Sequence, residues 1–310
     1  MKPFYVTRLV CGLLAVSGLS FRGWAESNQL TIVAWNVESG GSVASTIAGR
    51  IKAFQGVDLW GLCEVESESA AELFEQAAAD GENADFVRIV GTTGLNGSDP
   101  DDRLEIIYNT NRFQFLDSVE LHHINVSGTV RAPLVAHLRK KDSGTEFLFM
   151  VNHLYRSKTV SRHQQAQLLN AWAKTQTLPV IAVGDYNFDW AADSGEAHHD
   201  RGYDFMTQDG VFTWVRPQEM VRSECNPSFD SILDFVFVTS AALPWKATSQ
   251  VIVVQGDCPD NAQTSDHRPV KTIFSLPQAM QVASKEELLS RIEAIQLEVV
   301  RLRALVNQLP

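Results

Sequence analysis

The stretch Ile181-Ala-Val-Gly-Asp-Tyr-Asn-Phe188 decides how the rest of the chain is read. An apolar run ends in a glycine and then presents an aspartate and an amide two positions apart. Strand side chains alternate between faces, so Asp185 and Asn187 can point the same way. Neither type suits a plain β-core, where Asp and Asn are depleted. The same grammar recurs along the chain. Asn36 follows Thr31-Ile-Val-Ala-Trp35, and Glu64 follows Val57-Asp-Leu-Trp-Gly-Leu-Cys63. His153 follows Phe147-Leu-Phe-Met-Val-Asn152, and Asp266-His267 precedes Arg268-Pro-Val270. Polar side chains at the ends of separate apolar strands are how an α/β scaffold assembles a reaction centre.

Lys2 and Arg8 precede an apolar run from Leu9 to Leu19, and Ala25 offers a small-residue cleavage point. Residues 1–25 therefore read as a secretory signal peptide. The run is shorter than a spanning helix needs, and no later stretch is long enough. An exported protein, periplasmic or extracellular, without stable membrane insertion is expected. Removing Lys2, Arg8 and Arg22, with no acid among those residues, takes the formal net charge from −11 to −14. Such a surface repels polyanions at long range. It does not exclude a nuclease, because a bound metal and a local cationic site can reverse the potential where chemistry happens. Export permits oxidised cysteines. Cys225 and Cys258, both in polar, loop-like surroundings, are the natural pair; Cys63 lies in an apolar run and reads as a buried small hydrophobe.

Residues 26–278 are expected to form one domain. Leu30–Ala34 and Val57–Leu62 read as interior strands around a helical stretch at Val43–Phe54, followed by a helix around Ala70–Ala79. Strands Phe86–Val90 and Leu104–Tyr108 are divided by the Gly/Asn/Ser/Asp-rich loop Gly91–Asp102. Residues 116–137 alternate less clearly, and Pro133–Leu138 leads to a strong strand at Phe147–Val151. A helix over Ser161–Lys174 precedes the strand Val180–Val183. Residues 189–226 read as loop-rich, and strands Ile232–Val238, Val251–Val254 and Val270–Phe274 close the domain. Later strands follow one another without room for crossover helices, which favours mixed sheets with helices outside.

The segment 284–310 is a different object. Leu288, Ile292, Ile295, Val299, Leu302, Val306 and Leu309 recur at alternating spacings of four and three, a heptad. Branched residues at a with mostly Leu at d favour a parallel homodimer, and Ile295 at d leaves a homotrimer open. Leu289, Leu297 and Leu305 widen the apolar face enough for a helix docked on its own domain instead.

The ordered set Trp35-Asn36, Glu64-Val65, Arg131-Ala-Pro133, Val151-Asn-His-Leu154, Gly184-Asp-Tyr-Asn187, Leu233-Asp-Phe235 and Ser265-Asp-His267 resembles the endonuclease/exonuclease/phosphatase superfamily, closest to its deoxyribonuclease I-like branch. The resemblance covers about residues 30–275. It implies a four-layer sandwich of two mixed β-sheets flanked by helices, and metal-dependent hydrolysis of phosphate esters at the strand ends. Mg²⁺ is the implied cofactor, with Mn²⁺ or Ca²⁺ as alternatives. The residue types suit that chemistry, which needs charge neutralisation, an oriented water and a protonated leaving group. Glu64 offers a hard carboxylate, Asn36 an amide oxygen, and Asp266 would lie near the metal and its waters; magnesium uses few protein ligands.

The same resemblance assigns catalytic roles to His153, Asp185, Asn187, Asp234 and His267. Asp234 would orient His267 and favour its protonated form. His153 would act as general acid or touch the phosphate. Asp185 would orient water or share a second metal, and Asn187 would donate to a non-bridging oxygen. Arg131 matches a phosphate-contacting arginine, and Arg162 and Gln165 match supports for the loop behind His153. The carboxylate that orients His153 falls on Asp102 or Glu105, with Asp102 preferred.

Nucleic acid is the leading substrate class; small or lipid-linked phosphate esters are the alternative, and a non-catalytic assembly module the third reading. The Asn152-His153 pair and the signal peptide argue against the abasic-site repair branch. No hydrophobic hairpin suggests a lipid enzyme. His198-His199-Asp200 is a weaker metal candidate, and His122-His123 weaker still. The acids Asp99, Asp101 and Asp102 lack calcium-loop spacing.

Overall fold

In the computed structural model, which describes residues 28–97, 100–128, 130–277 and 285–307, the apolar runs resolve into two six-stranded sheets. The chain begins β1 (Gln29–Asn36), α1 (Ala44–Ala53), β2 (Leu59–Val65), α2 (Glu68–Glu82), β3 (Phe86–Val90), β4 (Arg103–Asn109). It continues β5 (Phe113–Glu120), β6 (Leu134–Lys140), β7 (Glu146–His153), α3 (Thr159–Ala173), β8 (Val180–Ala191), α4 (Gly202–Thr207). It closes with β9 (Phe212–Trp214), β10 (Ser231–Thr239), β11 (Ala247–Val251), β12 (Val270–Ser275) and α5 (Lys285–Val306). One sheet has the order β11-β12-β1-β2-β4-β3, the other β5-β6-β7-β8-β10-β9. Both are antiparallel except for a central parallel pair, β1 with β2 and β7 with β8. A parallel pair needs a crossover, which α1 and α3 supply.

Period-two alternation assigns each strand residue to a layer. On β1, Leu30, Ile32 and Ala34 face the other sheet and join Phe149, Val151, Val183 and Val236. The alternate residues Val33 and Trp35 pack outward with Ile47, Ile51 and Phe74 of α1 and α2. On the second sheet Tyr186 and Phe188 pack outward with Ala166 and Leu169 of α3. Each fully buried aliphatic side chain contributes about 1.5–3 kcal/mol. Gly61 sets the spacing between the sheets: a Cβ there would lie 2.6 Å from Val183 Cγ2 and 2.9 Å from Val151 Cγ2. The result is helix, sheet, sheet, helix, the expected four-layer sandwich of mixed sheets.

Three elements depart from the sequence reading. β8 runs on to Ala191, past the end of its apolar run, because β10 continues to pair with it as far as Ser231 opposite Ala191. β11 ends at Val251 instead of beginning there. Its ladder with β12 stops at Pro269, which accepts from Ile252 N but has no N–H to return, so Val253 and Val254 are exposed. β5 is an edge strand with mostly exposed side chains, which leaves little alternation to read. Cys225 and Cys258 form the expected disulfide, and Cys63 is free and buried. Every described α5 side chain from Leu289 to Ala304 is exposed, so this helix is not docked on the domain along that length. Among the described residues, no helix is long and apolar enough to cross a membrane.

Candidate active site

The sheet register brings three expected residues into a row. His153 on β7 is opposite Asp185 on β8, and Asp185 is opposite Asp234 on β10. Opposed residues share a face, and this face is the one that carries Val151, Val183 and Val236 into the inter-sheet core. The reaction row is therefore the point where the central apolar layer runs out. Asn36 meets it from the facing sheet, continuing the inward series of Leu30, Ile32 and Ala34. Glu64 needs a local irregularity to join. The β2–β4 register slips between Leu62 and Val65, and Glu64 takes φ 59°, bringing its Oε1 to 2.8 Å from Asn36 Nδ2. Gly184, at φ 130°, is required beside Asp185: a Cβ there would lie 1.9 Å from Asn152 O. Asn187 and Glu38 are also left-handed, at φ 52° and 57°; held strain of this kind clusters at functional sites.

His267 is fixed from several sides. Its Nδ1 lies 2.8 Å from Asp234 Oδ2, and its carbonyl accepts from Trp35 Nε1 at 2.9 Å. Ser265 Oγ accepts from His267 N at 3.0 Å and donates to Asn36 O at 2.6 Å, so the last strand segment is tied to the first. Ser223 Oγ accepts from Leu233 N and Asp234 N. The free edge of the ring, Nε2, faces Asp185 Oδ2 and Asp266 Oδ1, each at 3.8 Å. Burial disfavours the imidazolium, but Asp234 foremost, then Asp185 and Asp266, outweigh it and push the His267 pKa well above its ordinary value.

A second histidine–carboxylate pair stands across the cleft. His153 Nδ1 lies 3.5 Å from Asp102 Oδ1, and its Nε2 lies 3.4 Å from Asp185 Oδ2 and 3.6 Å from Glu64 Oε1. These are longer than formed hydrogen bonds, as catalytic contacts often are before substrate binds. Of the two acids expected for this role, Asp102 is the one that stands beside the ring. Burial raises the Asp102 carboxyl, but His153 and Arg131 outweigh burial and hold it below the ordinary range. Glu105 lies on the opposite face of β4, with Ile107 and away from Leu104 and Ile106. It is fully buried, neither carboxylate oxygen has a partner, and burial pushes its pKa well up.

The site fits a divalent cation. Glu64, Asp102 and His153 offer ligand atoms that all lie within 4.8 Å of one another. Carboxylates crowd around them. Burial, then Asp266, raises Glu38 to about 7 against a hydrogen bond from Asp266 N. Burial also raises Asp266, with Glu64 and Asp185 adding to it and His267 opposing. A hard oxygen-rich set suits Mg²⁺, Mn²⁺ or Ca²⁺; Glu64 belongs to the clustered set, and the expected ligand Asp266 stands outside it on the wall of the same cleft. The ion would supply charge neutralisation at the phosphoryl oxygens and an acidified water. Asn36 turns its Nδ2 to Glu64 and to Asp185, the latter at 3.2 Å, while its Oδ1 accepts from Glu38 N. In that orientation it holds the two carboxylates, and offering its oxygen to a metal requires an amide flip.

Other expected residues sort clearly. Asn187 N donates to Asp185 Oδ1 at 2.9 Å, its Nδ2 donates to Leu154 O at 3.3 Å, and the residue is among those lining the cleft. Arg162 and Gln165 are buried supports: Tyr155 N donates to Gln165 Oε1, and Arg162 Nη1 donates to Tyr155 O and Arg156 O. Arg131 stands behind the His153 pair. Its guanidinium pairs with Asp102, the carboxylate beside His153, and is about a tenth exposed. Asp200 is occupied by Arg162 and His163, and His199 stacks on Trp190; among the described residues that loop contributes nothing to the ligand-spaced cluster. His122 and His123 are exposed in a 3₁₀ turn. Glu38, Arg156 and Glu224 were not singled out from sequence. Each is a charged loop residue, and only the Asn-Val-Glu spacing behind Asn36 hinted at one of them.

The cleft enclosed by these groups is about 350 Å³, with Glu38, Glu64, His153, Arg156, Asp185, Asn187, Leu233, Asp266 and His267 among its walls. Residues 33–267 match the Endonuclease/Exonuclease/phosphatase family. The chain belongs to that family. Members of the endonuclease/exonuclease/phosphatase family are metal-dependent phosphoric ester hydrolases. No curated protein matches in sequence. Among solved structures, a family member from Bacteroides thetaiotaomicron is 19% identical with a TM-score of 0.60, covering 80% of this chain and 98% of that one. D. rerio TDP2 complexed with single-strand DNA product is 18% identical with a TM-score of 0.61, covering 79% and 98%. A mannosyl-6-phosphatase from B. thetaiotaomicron is 19% identical with a TM-score of 0.56, covering 78% and 98%. At these identities the likeness is one of fold.

Proposed function

We propose that this chain is an exported, divalent-metal-dependent phosphodiesterase that cuts nucleic acid endonucleolytically. The observation that supports it is the pair of buried histidines on opposite walls, His267 with Asp234 and His153 with Asp102. Hydrolysis of an unactivated phosphodiester needs one group to manage the incoming water and another to protonate the departing alkoxide. In this reading Asp185, within 4 Å of both rings, orients the water between them, and Asn187 donates to a non-bridging oxygen. A small phosphate ester is the second reading, favoured by the restricted cleft volume and the acidic balance of the chain.

The test is an assay of residues 26–310 against duplex DNA, single-stranded DNA, RNA and simple phosphate esters with Mg²⁺ or Mn²⁺. Internal cuts in a polynucleotide that stop on chelation are expected. Release of phosphate from small esters, with no polynucleotide cut by either metal, promotes the second reading.

We further propose that α5 makes a parallel homodimer. Its a and d side chains Ile292, Ile295, Val299 and Leu302 are exposed, and parallel register sets Glu298 at g of one copy opposite Arg303 at e of the next. Sedimentation of the chain with and without residues 284–310 checks this; a monomer in both cases removes the proposal.

A further inference from the structure

The sequence reading gives the phosphate-gripping role to Arg131, and the structure leaves that role open. Arg131 is held against Asp102 with little exposure. The cleft walls carry four carboxylates, Glu38, Glu64, Asp185 and Asp266, and Arg156 is the arginine that stands among them. Among the described residues the Arg156 guanidinium has no hydrogen-bond or ion-pair partner. An exposed arginine is ordinarily a solvated surface cation. Here the backbone beneath it is unusually well held. Arg162 Nη1 donates to Arg156 O at 2.5 Å and to Tyr155 O at 2.9 Å, Tyr155 N donates to Gln165 Oε1 at 3.0 Å, and Arg162 Nη2 is anchored on Asp200 Oδ2 at 2.7 Å. Buried Arg162 and Gln165 thus fix the place from which an unpartnered cation reaches the cleft.

Glu224 supplies a second observation. It is 5% exposed, and its carboxylate has no hydrogen-bond or ion-pair partner among the described residues. Its backbone forms an antiparallel bridge with His267, and residues opposed across such a bridge point to the same side. Glu224 is therefore aimed with His267 towards the reaction centre. Burial raises its pKa, while the charges of His267 and then Arg156 oppose that rise. Glu224 is thus a buried acid beside His267 whose charge is not matched by a direct partner among the described residues.

We infer that Arg156, held in place by the Arg162–Gln165 buttress with the unpartnered Glu224 beside the same cleft, is the residue that grips a phosphate group of the substrate. The inference rests on the phosphoesterase reading above. A guanidinium fork matches phosphate oxygens in two-point geometry, and the surrounding acids leave the arginine and the bound cation to attract the anion.

The test compares wild type with Arg156→Gln, Arg156→Lys, Glu224→Gln and Arg131→Gln in the chain 26–310. Kinetics use a short single-stranded oligonucleotide with Mn²⁺, and calorimetry measures binding of inorganic phosphate. Arg156→Gln raises KM about tenfold or more while kcat stays within about threefold, and weakens phosphate binding by a similar factor. It also removes roughly 0.7 from the salt slope of oligonucleotide binding. Arg156→Lys recovers part of both losses. Glu224→Gln moves KM in the same direction by less. Arg131→Gln does the reverse, lowering kcat at constant KM, because it acts through Asp102. Unchanged KM and phosphate affinity in Arg156→Gln overturns the inference, as does a wild type that binds no phosphate. A wild type that cuts no polynucleotide, yet binds phosphate in an Arg156-dependent way, removes the nuclease reading and leaves this one standing.

Discussion

Replacing Asp234 by Asn tests the centre with the least disturbance to shape. Asp234 is 1% exposed, its Oδ2 lies 2.8 Å from His267 Nδ1, and its Oδ1 has no partner. Asn preserves the outline and can still accept from Nδ1 through its oxygen, so what is removed is the charge. A hydrogen bond to a charged group contributes about 1.5–3 kcal/mol. At 1.36 kcal/mol per tenfold, losing that stabilisation of the imidazolium lowers kcat by about 10- to 150-fold. The pH dependence carries a second signature. In the wild type Asp234 is the foremost group raising the His267 pKa against burial. Without it, Asp185 and Asp266 act alone from 3.8 Å, and the basic limb of the kcat profile moves to lower pH. Initial rates on bis(4-nitrophenyl) phosphate across pH measure both effects, with near-ultraviolet circular dichroism confirming the fold. A variant with wild-type kcat and an unmoved basic limb would show that His267 does not act as an imidazolium held by Asp234.

Glu105 makes a stability prediction of definite sign. Its folded pKa lies well above the unfolded value near 4.5, so its favourable contribution is complete below that value and is lost as pH rises towards the folded pKa. Glu105→Leu should stabilise the protein by about 1–3 kcal/mol in mildly alkaline buffer, with the gain shrinking towards acid; urea midpoints that show no pH-dependent difference refute it. Replacing Cys225 and Cys258 together by Ser releases a 33-residue separation, and chain entropy puts the loss at about 4 kcal/mol. Activity should fall with it, because the Cys225 N bond to Asp266 O and the Glu224–His267 bridge share that strap; unfolding curves and rates equal to the wild type would separate the strap from the site.

Much of the centre was legible because its residues contradict their surroundings. Asn36, Glu64, His153, Asp185 and Asp266-His267 each interrupt or flank an apolar strand, and a polar type at a position of core periodicity is itself a signal. Asp234 stood out for the same reason inside Ile232–Val238. Arg156 and Glu224 sit in loops, where a charged residue is the ordinary case and no period marks it. The partner of Arg131 was hidden because Asp102 is 29 positions away, across a loop whose path no local propensity specifies. Glu105 and Asp102 differ by three positions, and only the face of β4 decides between them. The edge strand β5 escaped notice because an exposed strand has no buried face to pattern.

Pairing of β1 with β12 gives the molecule an order in time. Asn36 ends the first strand of the domain, while Asp266 and His267 stand just before the last, joined to it through Ser265 Oγ on Asn36 O. A ribosome that has released everything up to Gln263 has made every strand except β12, the one that joins β11 to β1 and follows His267. Every chain that ends before His267 lacks the imidazole, and with it one of the two acid–base pairs. The chain thus withholds its chemistry until almost all of the domain has been made and its two ends have met.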